Sequence, residues 1–94
     1  MTDAEKLVVL KQDLQILTTA NDGYLSTLIE LAKSAIETEG IVLIDGDIEG
    51  DMAVVQYAAY LFRRRADAET VMPRFLRYQL NQLLFKQKSG GGVS

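Results

Sequence analysis

Apolar residues recur at intervals of three and four along most of the chain, and this spacing constrains the fold more than any other feature. Residues so spaced lie on one face of an α-helix. Four segments show the pattern, and between the second and third lies one short β-branched run, residues 41–44. No second run of this kind is available to pair with it, although it could add as a strand to a neighbouring subunit. The sequence therefore predicts an all-α fold, a small four-helix domain with a short extended connector between helices 2 and 3.

Residues with particular backbone preferences mark where the predicted helices begin and end. Thr2 or Asp3 can cap the first helix, because a short side-chain oxygen accepts a backbone N–H that is otherwise unpaired. Asn21 or Asp22 starts the second helix, and Gly40 is suited to end it. The third helix is predicted from residue 49 to residue 65. The single proline, at position 73, fits the first turn of the fourth helix.

The apolar stripes give the predicted core. In the first helix the stripe consists of Leu7, Leu10, Leu14 and Leu17. In the fourth helix it consists of Met72, Leu76, Leu80 and Leu83, extended by Phe75, Tyr78, Leu84 and Phe85. The third helix is apolar on more than one side, which is typical of a helix that is central to its domain or shared with a partner.

Composition excludes several classes of function. The 94 residues, 48% of them apolar, suffice for one globular domain, assigned to residues 1–88, and the glycine-rich residues 89–94 are predicted to form a flexible tail. Cysteine, histidine and tryptophan are all absent, so most side chains used for nucleophilic, redox or transition-metal chemistry are missing. We therefore expect a soluble intracellular protein that has no cofactor and is not an enzyme.

An acidic stretch at residues 45–51 has part of a calcium-loop pattern. It offers oxygen ligands at alternate positions and a glycine at the sixth. The twelfth position, where such a loop needs a bidentate glutamate, is Gln56, and the ninth is Ala53. We therefore predict no metal site, and interpret the stretch as an acidic loop whose carboxylates favour the N-terminus of the third helix.

Charge is divided unevenly along the chain. Residues 1–51 contain eleven acidic and three basic residues, whereas residues 52–94 contain two acidic and seven basic ones. The basic part includes three consecutive arginines at the end of the third helix. These could bind nucleic-acid phosphates, or they could stabilise a helix end or a salt-bridged interface.

The candidate subunit-interface residues are the aromatic and charged side chains of this part and two acidic residues of the second helix: Tyr57, Tyr60, Phe62, Arg63, Arg64, Arg65, Arg74, Arg77, Glu30 and Glu37. For the tyrosines the alternative is packing within the core. No catalytic, cofactor-binding or metal-binding residue is predicted.

The order of five sequence elements is similar to that of a known family. They are a Leu-Lys-x-x-Leu-x-Ile element at 10–16, a turn at 21–22, a helix at 24–37, a helix of apolar and alanine residues ending in arginines at 53–65, and Met-Pro-Arg-Phe-Leu at 72–76. With these elements the chain resembles the small head-tail connector proteins of tailed bacteriophages and prophages, also called head completion or adaptor proteins. The resemblance covers residues 7–86, and residues 41–51 depart from the family's common form.

The resemblance implies a structural role in virion assembly. Copies of the subunit would form a ring beneath the portal protein and join the capsid to a tail or second connector protein. The ring could assemble on its own or only on the portal. DNA would pass through the channel without sequence-specific binding, and no membrane would be involved. The protein would be located at the head-tail junction of the virion, and in the host cytoplasm during assembly. The alternative is a small helical regulatory or nucleic-acid-binding module that uses the C-terminal arginines.

Overall fold

The computed structural model describes residues 1–91, which form four α-helices and, within that range, no strand. The helices are α1 (Asp3–Leu14), α2 (Asp22–Thr38), α3 (Ile48–Ala66) and α4 (Arg74–Gly91). The predicted all-α, four-helix fold is confirmed. Residues 89–91 of the predicted tail belong to α4, and its residues 92–94 lie outside the described range. None of these helices is long and apolar enough to cross a lipid bilayer.

Helix α1 begins as predicted and ends earlier than predicted. The Thr2 hydroxyl accepts a hydrogen bond from the Glu5 N–H at 3.1 Å, and the Glu5 carboxylate accepts one from the Thr2 N–H at 2.8 Å. Such a reciprocal cap pairs two backbone donors that the helix itself cannot pair. At the other end Gln15 adopts the left-handed conformation, with φ at 59°, and turns the chain. The prediction that Leu17 lies in the core is therefore wrong, since it is 97% exposed and Ile16 packs against the core instead.

Helix α3 is the central element of the fold. It packs against α1, α2 and α4. Helices α1 and α2 also pack against each other, whereas α4 packs mainly against α3. Most of its buried side chains are small: Ala53, Val54, Val55, Ala58 and Ala59. Small side chains let neighbouring helices approach closely, so the apolar surface around α3 is used largely within the subunit.

The connector between α2 and α3 is extended and is held by α4. Its Ile41 is buried in the core. The Val42 N–H donates to Gln87 Oε1 at 2.8 Å, and the Val42 carbonyl accepts from Gln87 Nε2 at 2.7 Å. One side-chain amide of α4 thus pairs both backbone groups of this residue, as a neighbouring strand would.

Candidate protein-binding surface

Helix α4 has two apolar faces, of which the fold covers one. The inner face consists of Leu76, Leu80 and Leu83, all buried against the core. On the outside, Phe75, Tyr78 and Phe85 are 58%, 66% and 71% exposed. These three aromatic residues, called here the aromatic stripe, are spaced three and seven apart and so lie along one side of the helix.

The aromatic stripe corrects the sequence prediction, which placed Phe75, Tyr78 and Phe85 in the core as an extension of the leucine face. A helix can turn only one side toward α3, and the leucines occupy that side. Sequence reasoning found two apolar sides on α3 and missed them on α4. The same test applied to α4 would have found the stripe, since Phe75 and Phe85 fall outside the leucine face at 100° per residue.

The stripe has a basic edge. Arg74 is four residues before Tyr78 and Lys88 is three residues after Phe85, so each adjoins the stripe on the helix surface. Both are exposed, and neither forms an ion pair with any residue in the described part of the chain. Helix α4 as a whole contains four basic and no acidic side chains. A partner that covers the stripe therefore meets a positive field.

A second exposed apolar surface lies on the connector and the start of α3. It consists of Val42, Ile44 and Ile48, each more than half exposed, and is called here the aliphatic patch. A turn brings its parts together: the Asp47 N–H donates to the Ile44 carbonyl at 3.1 Å, and Gly46 adopts a φ of 84° that favours glycine. The helix then begins at the next residue.

The segment that bears most of the aliphatic patch is acidic, and Lys86 of α4 lines the cavity beside Ile44. Residues 41–51 contain four acidic and no basic side chains. Asp47 caps α3 by accepting from the Glu49 N–H at 3.3 Å, and the positive end of the helix dipole favours such acids. Asp45 and Glu49 are exposed. Among residues 1–91 no group of three or more carboxylates is arranged so that it could hold a metal ion.

The predicted interface residues Tyr57, Tyr60 and Phe62 are half-buried and pack on the core. The rings of Tyr57 and Tyr60 meet edge to face, with centroids 5.9 Å apart. Phe62 contacts Tyr24 of α2, with centroids 6.5 Å apart. Burial raises the pKa of the Tyr57 phenol. Each of these side chains already packs against the subunit's own core and leaves only part of its surface for a partner.

Arg77, another predicted interface residue, binds within the subunit. Its two terminal nitrogens donate to the two carboxylate oxygens of Glu39 at 2.8 and 2.9 Å. Paired donors and acceptors of this kind fix both distance and orientation. The hydrogen-bonded Arg77 lowers the pKa of the Glu39 carboxyl, against a smaller opposing effect of burial. The pair joins the end of α2 to α4.

The three arginines that end α3 differ in their surroundings. The Arg65 guanidinium lies over the Tyr24 ring, 4.4 Å from its centroid, which is a cation–π contact. Arg63 lies 3.3 Å from Asp13 of α1 in an exposed ion pair. Arg64 is exposed and forms no ion pair with the described residues. Two of the three guanidinium groups are thus engaged in contacts between helices of the same subunit.

The two predicted acidic interface residues of α2 lie near a polar cleft. Glu30 accepts a hydrogen bond from Lys33 Nζ at 3.2 Å, and the same ammonium lies 2.6 Å from Asp3. The bond from Lys33 lowers the pKa of the Asp3 carboxyl. Glu37 is exposed and lines the cleft, whose volume is about 380 Å³. The structure leaves Glu37 accessible to a partner.

The floor of this cleft is a buried charge pair that sequence reasoning did not identify. Asp51 and Lys6 are the buried charged residues of the described chain, at 6% and 8% exposure. Asp51 lies 3.7 Å from Lys6 Nζ and 2.7 Å from the Met1 amino group. Because the buried carboxylate is paired with two cations, the cluster ties α1 to α3.

Comparison of the chain with protein-family models, with curated protein sequences and with solved structures found no match. What the protein does must therefore be argued from its own surfaces and from the sequence elements described above.

Proposed function

We propose that the chain is a structural assembly subunit that acts by binding other protein subunits, as a head-tail connector of a tailed phage, and that it is not an enzyme. The observation that carries the proposal is the aromatic stripe on the outer face of α4. Exposed aromatic side chains in a row are costly in water and are typical anchors of protein interfaces. They lie on a helix, so the backbone that bears them is already ordered before a partner covers them.

The more specific role rests on the resemblance over residues 7–86. In that role, copies form a ring under the portal, join the capsid to the tail and leave a channel for DNA. The charge distribution supports it: residues 41–51 have four acidic and no basic side chains, whereas α4 has four basic and no acidic ones. Opposite charges on two different surfaces of a subunit favour copies that meet through unlike surfaces, and such contacts close into rings when the rotation permits.

A nucleic-acid-binding module is the alternative that the arginines suggest. Three of them, Arg63, Arg65 and Arg77, contact partners inside the subunit. Phosphate binding by these groups would have to break those contacts, and the affinity of such modules grows with the number of phosphates they contact. This observation favours the protein-binding role.

The test is light scattering and electron microscopy of the purified full chain, alone and with the portal protein of the same genome. We expect rings, either at high concentration or on the portal. A double variant, Tyr78→Ser with Phe85→Ser, should lose binding. Leu31→Ser is the matched control, because Leu31 is 53% exposed but lies on α2.

Two results would contradict the proposal. The first is a chain that stays monomeric at every concentration and does not bind the portal. The second is a salt-dependent mobility shift with DNA that Arg64→Glu with Arg65→Glu abolishes, which would favour the nucleic-acid-binding alternative.

A further inference from the structure

We infer that the aromatic stripe of one copy docks on the aliphatic patch of a second copy. The inference deepens the proposed function and rests on it, since it names the two surfaces that join neighbouring subunits of the ring. Each surface is apolar at its centre and charged at its edge. The fold leaves both exposed.

The two surfaces are complementary in charge. The helix that bears the stripe has four basic and no acidic side chains, and residues 41–51 have four acidic and no basic ones. Arg77 is paired with Glu39, Lys86 lines the cavity beside Ile44, and Asp51 is buried and paired, so the complementarity rests on the exposed groups at the two surfaces. Arg74 and Lys88, at the edge of the stripe, have no ion-pair partner among residues 1–91, and neither have Asp45 and Glu49 at the patch. Docking would bring these unpaired groups together and would orient the two copies.

Charge also argues against the other apolar partners that a second copy offers. Two aromatic stripes facing each other would bring two basic helices together, and like charges across an interface are unfavourable. A further apolar surface includes Val8 and Leu17 near the end of α1. The side chains that line it include Lys11, which is already paired with Asp22 at 2.8 Å, and no carboxylate, so this surface offers the basic edge of the stripe no opposite charge.

The positions of the two surfaces allow one copy to use both at once. The connector that carries the aliphatic patch is held by Gln87, and Ile44 shares a cavity of about 370 Å³ with Leu83 and Gln87. Phe85 is two residues from Leu83 and two from Gln87, so its side chain lies about 200° around the helix axis from each of them, on the opposite side of α4. The stripe and the patch therefore face different directions. A contact between unlike surfaces continues from copy to copy and closes into a ring when the rotation permits.

The contact is small, which predicts how it behaves. From Phe75 to Phe85 the stripe extends about 15 Å along the helix and is about one side chain wide. Its area is therefore far smaller than the roughly 800 Å² per partner of a standard interface. A single pair of copies should therefore associate weakly. Assembly should become evident at high concentration or on a template that holds several copies, because a template makes each contact intramolecular and ring closure does the same for the last one.

Two variants of the full chain test the inference in sedimentation velocity over a rising concentration series. Phe85→Asp places a carboxylate in the stripe, and Ile44→Asp places one in the aliphatic patch. Each alone should weaken self-association at least about tenfold. An equimolar mixture should form heterodimers and nothing larger, since the first variant keeps an intact patch and the second an intact stripe. Leu31→Asp is the control that should assemble like the wild type, and thermal melting by circular dichroism establishes that all variants fold.

Three results would overturn the inference. If Ile44→Asp still associates and Phe85→Asp does not, the stripes pair with each other. If both variants associate like the wild type, the interface lies elsewhere, and if the wild type never associates, there is no such contact. Portal binding, measured separately, distinguishes the two proposals: a wild type that ignores the portal contradicts the connector function even where the mixed variants form dimers.

Discussion

Arg77 and Glu39 show how a single pair of side chains connects distant parts of the chain. They are 38 residues apart in sequence, and each terminal guanidinium nitrogen donates to one carboxylate oxygen, at 2.8 and 2.9 Å. Glu39 is the C-cap residue of α2, directly after Thr38, and Arg77 lies in the first turn of α4. The contact therefore fixes α4 at the point where the aromatic stripe begins.

We predict that stability falls in acid partly through Glu39. The Arg77 hydrogen bonds lower the pKa of this carboxyl below its ordinary value of 4.5. A carboxyl with a lowered folded-state pKa stabilises the fold fully above its unfolded-state pKa, and that contribution is lost as pH falls through the folded-state value. Urea unfolding across this range should show a smaller acid loss in Glu39→Gln than in the wild type. Glu37→Gln is the control, because Glu37 forms no ion pair in the described part of the chain, and an identical pH profile for Glu39→Gln and the wild type would refute the prediction.

We predict opposite effects of the same substitution at two glycines. Gly40, which ends α2, has a φ of 96°, so Gly40→Ala should destabilise the protein by about 1 kcal/mol through backbone strain. Gly23 lies inside α2 with no atom within 4 Å of an added Cβ. Gly23→Ala should therefore stabilise by roughly 0.5 kcal/mol, since alanine loses less backbone entropy in a helix. Thermal melting of both variants checks the signs, and a stabilising Gly40→Ala would contradict this account.

At the scale of the element, periodicity predicted the helices and the ends that have their own chemical signal. The Thr2 cap, the start of α2 at Asp22 and its stop at Gly40 are all confirmed. The predicted end of α1 was wrong, because Gln15 is a residue type with no intrinsic preference for the left-handed conformation that it adopts. Apolar spacing could continue the helix to Leu17, but it could not show that the chain turns before it.

The aromatic stripe could not be assigned from spacing alone. Both faces of α4 are apolar at helical intervals, and periodicity does not say which face packs inward. The choice is decided by the shape of α3, whose small side chains accept the branched Leu76, Leu80 and Leu83. The contact of Arg65 with Tyr24 depends on how α3 crosses α2, and that of Arg63 with Asp13 on how α3 crosses α1. Neither contact has a sequence signal.

We predict that truncating a side chain lowers the free energy of unfolding much more on the inner face of α4 than on its outer face. Leu80→Ala removes a fully buried side chain and should cost about 3 kcal/mol of unfolding free energy. Phe85→Ala removes a side chain that is 71% exposed and should change the unfolding free energy by less than about 0.5 kcal/mol. Urea unfolding of the monomer measures both. A large loss in Phe85→Ala would mean that the stripe supports the fold and not a partner.

At the scale of the whole molecule, we expect stability to differ between the helices, because the four helices do not share contacts equally. Helices α1, α2 and α3 pack against one another, whereas α4 leans mainly on α3 and is tied by Arg77 and Gln87. Elements with fewer packing partners open at lower free energy than the global unfolding. The element that bears the aromatic stripe is thus the one most able to adjust to a partner.

We predict that the amides of α4 exchange hydrogen faster than those of α2 and α3 under native conditions. The physical reason is that α4 can detach from α3 while the other three helices keep their mutual contacts. Hydrogen exchange followed by mass spectrometry checks this, and covering of the stripe by a partner should slow the exchange. Equal protection of α4 and α3, both lost only with global unfolding, would contradict the prediction.

The bond between Gln87 and Val42 has a consequence for aggregation. Residues 41–44 lie outside the helices and are mostly β-branched, and Val42 and Ile44 are exposed; segments of this kind can recruit strands from other chains into cross-β stacks. The amide of Gln87 occupies both backbone groups of Val42 and so closes that edge to an incoming strand. The apolar side chains of the connector thus remain available to a docking partner, while the backbone groups of Val42 are not available to a strand from another chain.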